Sequence, residues 1–433
     1  MKPTLMFLAP LLMYSVASAQ AVPDPALGTV VVDGSAGAGG IFGPPPPKMA
    51  VVPLISQSEA DSIVGLVVRR DMDLSGQFQV IDDALAPAGP HVREAPIEPG
   101  VWQAKDVEFV TRVYSVTNST GTELVAEGFL IPKAEGKADL AAPALAPSFV
   151  LRVAAPLRGV RAASHRLVDQ MLGALTGRPG SFSSVVAYTG RVGKWRQAFL
   201  VDSDGFNLRS FGPSGGTVLS PAFGPAGELY YALSDDFRRF RLVHGARAQP
   251  VPLSVRGSVL GLSFSQDKKQ LALSVMEEGK SAIYVTDLAG GTMRTVTTEV
   301  LANHPEFGPM NKLAWVAGWA QRLYLDGKPI GASGLSSPTF CDTQQGLYVV
   351  ATVGMGAGAD VLAFDTSGTA RRLTQGMAVT ESVACSPDGR LVAFFSNQRG
   401  GKGPGLYVVP VARPWLVKKV SSELGEWLRW EAQ

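Results

Sequence analysis

Histidine and cysteine, the side chains most used for acid–base work and metal binding, are scarce in this chain. Four histidines (His91, His165, His244, His304) and two cysteines (Cys341, Cys385) occur in 433 residues. The histidines fall in different elements, so no cluster with metal-ligand spacing forms. No G-x-S-x-G elbow is present, and the chain ends before a hydrolase domain following the repeats described below would fit, which argues against a peptidase. Asp202-Ser203-Asp204-Gly205 lacks the spaced acids and closing Glu of a calcium loop, and reads as a hairpin turn. The glycines of residues 34–40 lack the Lys and following helix of a phosphate cradle. No metal and no cofactor are expected. Charge is also sparse: 18% of residues are charged and the net charge is +2, so the electrostatic footprint of a nucleic-acid binder is missing. No run of like charges forms a binding tail. Only one long apolar run exists, residues 5–16, too short to span a bilayer.

What the chain has is turns and apolar β-type runs: 48 Gly, 31 Pro and 46% hydrophobic residues. The organising stretch is Ala384-Cys385-Ser386-Pro387-Asp388-Gly389-Arg390-Leu391-Val392-Ala393-Phe394-Phe395. Pro fixes φ for the turn, Asp bonds back to the backbone, and Gly accepts a positive φ. The Val- and Phe-rich flanks suit pleated, half-buried strands. This unit recurs. Phe223, Phe264, Phe307, Phe340 and Cys385 each precede a turn, at intervals of 41, 43, 33 and 45 residues. Second strands begin at Leu229, Leu271, Leu313, Leu347 and Leu391, and third and fourth strands follow. A four-stranded period of about 40 to 45 residues is the signature of propeller blades. A β-sandwich with similar hairpins is the alternative, and it does not explain a register kept across five copies.

Read in order, Met1-Lys2, the apolar run and Ala17-Ser18-Ala19 form a secretory signal peptide over residues 1–19, with Gln20 as the first mature residue. Residues 20–48 form a flexible arm ending in four prolines; its β-prone island suggests a tethered strand-pairing peptide or a plain linker. Residues 49–160 read as a small α/β domain, with Ser58 and Asp61 resembling a capping box and Gly76 ending the helix. Residues 161–183 hold a connecting helix stopped by Gly177 and Pro179. The propeller occupies residues 184–433. Its first unit lacks an innermost strand, and Leu428-Arg429-Trp430, 45 residues after Cys385, has that strand's register. The expected architecture is mainly β: a six-bladed β-propeller closed by the C-terminal strand, preceded by the α/β domain.

Ala162-Ala-Ser-His-Arg-Leu-Val-Asp-Gln-Met, Leu175-Thr-Gly-Arg-Pro-Gly leading to Val186-Ala-Tyr, and Phe199-Leu-Val-Asp-Ser-Asp-Gly-Phe-Asn carry a family resemblance. With the signal peptide, Ser220-Pro-Ala-Phe-Gly-Pro and the later repeats, they make the chain similar to TolB over residues 49–433. The resemblance implies a non-enzymatic periplasmic scaffold of the Tol–Pal envelope system, acting in outer-membrane integrity and constriction at cell division. It implies two partners: a TolA-like inner-membrane protein at the arm (Thr29, Val30, Val31, Val32, Asp33) and a Pal-like lipoprotein at the propeller. Repeat register together with the resemblance places the lipoprotein surface at Ser220, Asn303, His304, Ser337 and Glu381, around the central opening. The competing class is a secreted propeller enzyme, or an accessory domain of lyase or peptidase type. Cys341 follows the repeat's Phe340 whereas Cys385 occupies the Phe position, so their side chains should point to opposite faces. That predicts two unpaired buried thiols, with a bridge as the alternative.

Overall fold

A computed structural model describes residues 44–431, apart from breaks at 57, 89–90, 120, 134–137, 139, 157, 290, 292, 298, 332, 356–357 and 399–400. The expected signal peptide, residues 1–19, and the arm segment from Thr29 to Asp33 lie outside the described residues.

Helix α1 (Glu59–Leu74) starts where Ser58 accepts the Asp61 amide at 3.1 Å, with Glu59 and Asp61 favourably placed at the positive end of the helix. Only half of a capping box forms. The Asp61 carboxylate turns to the sheet instead, accepting from the Ser115 amide at 2.6 Å and from Arg93 at 3.2 Å. That sheet runs Gln79–Val80, Lys48–Val51, Phe109–Asn118, Gly121–Leu130, Phe149–Ala155, with parallel pairing for the first two contacts and antiparallel for the rest. Helix α2 (Pro99–Gln103) and Trp102 cover one of its faces. Helix α3 (Val160–Thr176), the expected connecting helix, packs on α1 over the other. Val64, Val68 and Met72 of α1 and Leu167, Val168, Met171 and Leu172 of α3 are all fully buried there. Each such side chain contributes about 1.5 to 3 kcal/mol by leaving water. Gly177 ends α3 at φ 78°, as its position in the sequence requires.

The rest of the chain is a propeller-like succession of antiparallel meanders. Their innermost strands are Thr217–Phe223, Ser258–Phe264, Asn303–Phe307, Leu335–Thr343 and Val379–Cys385. Phe223, Phe264 and Phe307 pair with Leu229, Leu271 and Leu313, the register read from the repeat. Apolar clusters form between successive sheets rather than within one: Phe264 packs edge-on against Tyr230 of the preceding sheet, ring centroids 5.0 Å apart. The last strand, Glu426–Glu431, pairs antiparallel with Val185–Val192, and Trp430 stands opposite Val186.

The Pro-Asp-Gly stretch works as its residues predict. Asp388 accepts from Ser386 Oγ at 2.6 Å and from the Arg390 amide at 3.2 Å, and Gly389 takes φ 72°. A Cβ at Gly389 would lie 2.0 Å from the Asp342 carbonyl oxygen, so the glycine also lets two sheets approach. Arg390 then reaches Thr176 Oγ1 at 2.7 Å, tying this turn to the end of α3.

The cysteines depart from expectation. Cys341 and Cys385 form a disulfide, with Cα atoms 5.5 Å apart. The alternation rule was sound, since Phe340 belongs to the cluster with the preceding sheet and Cys341 to the one with the next. The conclusion drawn from it was inverted. In sheets stacked like blades, the front of one faces the back of its neighbour, so residues on opposite faces are the ones that meet.

Candidate functional site

Three residues before each marker lie Ser220, Gly261, His304, Ser337, Ser382 and, in the closing strand, Trp427. Ladder registers slip at these places, so the innermost strands carry β-bulges there. Ser220, His304, Ser337 and Trp427 hold φ of 47°, 51°, 47° and 55°. Three of them precede a proline, which crowds the ordinary helical region of the residue before it. A non-glycine residue in the left-handed region costs about 1 kcal/mol or more, and such positions cluster at functional sites. Ser220, His304, Ser337, Ser382 and Trp427 line one small pocket of about 20 Å³, room for roughly one water.

Above that pocket opens a cup of about 930 Å³. His304 and Trp427 form part of its wall, stacked at 5.0 Å between ring centroids with planes 29° apart. Ser336, Thr352, Thr380 and Ser382 bring hydroxyls, and Gln321 and Asn397 bring amides. At the rim Arg196 grips Glu426 through two bonds of 3.0 and 3.1 Å. Desolvation, with the Arg429 charge second, pushes the His304 imidazole down to about 4, so it is neutral at ordinary pH. Below it, Arg429 pairs with the half-buried Glu306 and donates to the Leu262 carbonyl at 2.9 Å. Burial raises the Glu306 pKa although Arg429 opposes this. Chemically, the cup offers hydrogen bonds and aromatic surface.

Of the residues expected here, Ser220, His304 and Ser337 converge. Glu381 lies in strand Val379–Cys385 between Thr380 and Ser382, which line the cup; its side chain is outside the described set. Asn303 does not join them. Its Oδ1 accepts from Ser274 at 3.2 Å and from Ser281 at 3.3 Å, so it braces the neighbouring sheet. Trp427 was not among the residues expected here. Its offset of three from Trp430, matching Ser220 from Phe223, was the available signal.

A second titratable cluster lies where α1 and α3 meet the turn after Trp195–Asp202. That turn is the expected hairpin, with Gly205 at φ 87°. Its acids do more than make a turn. Arg161 of α3 binds Asp202 at 3.1 Å and also Asp204, while Arg70 of α1 donates to the Asp204 carbonyl at 2.8 Å. Asp71, His165 and Asp204 bring ligand-type atoms within 4.8 Å of one another. His165 Nδ1 meets Asp71 at 2.6 Å, and its Nε2 stands 3.8 Å from Asp202. Both arginines and a protonated His165 supply the positive charge that these acids need.

Burial works against protonation of His165, but the Asp71 charge and the Asp202 bond outweigh it and raise the pKa to about 10. Burial likewise raises Asp71 to about 7. Both folded-state values exceed the unfolded ones, so the native state holds extra protons. Stability from His165 is full below about pH 6.5 and is lost as pH rises through about 10. The Asp71 shift has the same sign, lowering stability as pH climbs from about 4 to about 7. The melting temperature should therefore fall between pH 7 and pH 10, and fall less in His165→Gln, which starts lower. Equal slopes in the two proteins would show that this proton is not linked to folding.

Residues 43–136 match the family described as the TolB amino-terminal domain. The Tol-Pal system protein TolB of Methylococcus capsulatus is 27% identical over 195 residues, 44% of this chain and 43% of the relative. The same-named protein of Xanthomonas oryzae pv. oryzae is 27% identical over 257 residues, 58% of this chain and 47% of the relative. The matched stretch thus spans less than half the length of these curated relatives. Among solved structures, TolB from Acinetobacter baumannii superposes with a TM-score of 0.66 at 19% identity, covering 90% of this chain and 98% of that one. At that identity the likeness speaks for the fold, and the sequence matches speak for the family. In its amino-terminal domain, in its curated relatives and in its fold, the chain is similar to TolB.

Proposed function

We propose that this chain is a periplasmic protein-binding scaffold of a Tol–Pal system, and not an enzyme. In this reading it is a six-bladed β-propeller, closed by Glu426–Glu431 and preceded by a small α/β domain. The observation that supports it best is the cup. Ser220, His304, Ser337 and Trp427, from different repeats, gather at one opening through the same strained bulge, and Ser382 joins them there. Neutral hydroxyls, amides, an imidazole and an indole suit the surface of a protein partner, with aromatic anchors at the centre and the Arg196–Glu426 pair at the rim. A Pal-like lipoprotein docks there. A TolA-like inner-membrane protein takes Thr29, Val30, Val31, Val32 and Asp33 as an added strand. The scaffold joins the two in outer-membrane integrity and constriction at division.

The test is capture of the soluble domain of the Pal-like lipoprotein from the same envelope. His304→Ala with Trp427→Ala should weaken capture by about thirtyfold, the effect of losing a central anchor, with little change in melting temperature. Unchanged affinity would sink the cup as the docking site. In the same assay, deleting residues 22–34 should abolish capture of the TolA-like partner and spare that of the lipoprotein. A large drop in melting temperature on deletion would make the arm structural instead.

A further inference from the structure

Beside the cup, the loops of the first two meanders project apolar side chains that no packing within the chain requires. Strand Val185–Val192 turns into Trp195–Asp202 through Gly193 and Lys194, and Val192 is 43% exposed. The next such loop carries Phe237, 51% exposed and held at φ 63°, a conformation that bulky residues rarely adopt. Trp195 and Phe237 stack at 4.8 Å with planes 12° apart, and the Lys194 ammonium lies 4.6 Å over the Trp195 ring. Around them stand Arg191, Arg238 and Arg239, exposed like Lys194. None of these four cations has a salt-bridge partner among the described residues. Arg191 and Arg239 bond only to backbone carbonyls, at 2.9 to 3.2 Å. Asp235 is engaged by Arg241 at 2.8 Å, and Asp236 caps its own loop.

We infer that this edge of the cup face, Val192, Lys194, Trp195, Phe237 and Arg238, docks on an anionic lipid surface. Aromatic tips ringed by unpaired basic residues are the composition of proteins that sit at the headgroup layer. Phe237 stacks on the Trp195 ring and the Lys194 ammonium also lies over it, so the indole is already engaged within the chain. A sugar ring, which stacks on an open aromatic face, would have to compete with Phe237 and Lys194 for Trp195. A bilayer interface takes ring edges, and Lys194 and Arg238 keep their charges among lipid phosphates. Each basic residue near such a surface strengthens binding by about fivefold.

The experiment uses the full mature chain and sedimentation with vesicles of equal parts phosphatidylglycerol and phosphatidylcholine, against phosphatidylcholine alone. The chain should pellet with the anionic vesicles at low salt and be released by high salt. Lys194→Glu with Arg238→Glu should lower vesicle affinity by at least about thirtyfold, the two fivefold contributions combined. Phe237→Ser should weaken it with the salt dependence intact, and neither variant should move the melting temperature or capture of the lipoprotein domain. Absence of binding to anionic vesicles overturns the inference, as does binding that survives the charge reversal. If isolated peptidoglycan or the lipoprotein domain, and not vesicles, responds to these substitutions, the patch is a glycan or protein contact and the lipid reading is wrong.

Discussion

A chain stopped after Ser422 should lose its cooperative fold, and Trp430→Ala should come close to the same result. Strand Glu426–Glu431 is the inner neighbour of Val185–Val192, so removing it leaves that strand's edge unpaired and open to other chains. Trp430 is 6% exposed, and its indole N–H donates to Ser184 Oγ at 2.7 Å. It packs with Leu428, Phe395 and Tyr188 in the cluster that also holds α1 and α3. An aromatic core residue cut to Ala costs about 3 to 5 kcal/mol, against a total stability of roughly 5 to 15. The same strand supplies Arg429 to Glu306 and Glu431 to Lys268, so truncation would also leave the half-buried Glu306 uncompensated. Urea midpoints and light scattering measure the outcome. The internal control is Trp427→Ala, whose side chain stands at the cup, where its loss should affect docking far more than melting. A truncated chain that melts like the full one would mean the strand is dispensable.

The meanders and their register were legible because turn chemistry is local: Pro387, Asp388 and Gly389 announce themselves, and Leu391 must follow. The bulges were half legible. Ser220, His304 and Ser337 stand at one offset from their markers, and the offset predicted convergence without knowing the backbone. Asn303, one residue earlier, was carried along by proximity in sequence. A strand sends neighbouring side chains opposite ways, and the bulge at His304 fixes which one reaches the cup. Trp427 was hidden because a regular strand sends residues three apart to opposite faces, and only the bulge between Glu426 and Arg429 brings it to the cup. The junction of Asp71, His165, Asp202 and Asp204 was illegible for another reason. Its members come from two helices and a turn far apart in sequence, and only the packing of α3 on α1 makes them neighbours.

Replacing Cys341 and Cys385 together by Ala should lower stability by about 4 kcal/mol. The bridge closes a loop of 44 residues, and the chain-entropy estimate for a loop of that length is about 4 kcal/mol. Its placement adds to this. It joins the innermost strands Leu335–Thr343 and Val379–Cys385 of adjacent sheets, where a Cβ at Gly389 would already meet the Asp342 backbone. In the unfolded chain, one bond thus retains the approach of two whole meanders. Cys341 is fully buried and Cys385 is 6% exposed, packed with Val350, Val392 and Tyr407. A reductant should therefore act slowly on the native protein and quickly once urea opens it, and alanine is the fair replacement in so apolar a setting. Such a bond persists in an oxidising compartment. Alkylation after denaturation without reductant should label no thiol, and with reductant should label two. The urea midpoint of the double variant should match that of the reduced parent. Two thiols labelled without reductant would remove the bridge, and an unchanged midpoint in the double variant would show that the sheets stay together without it.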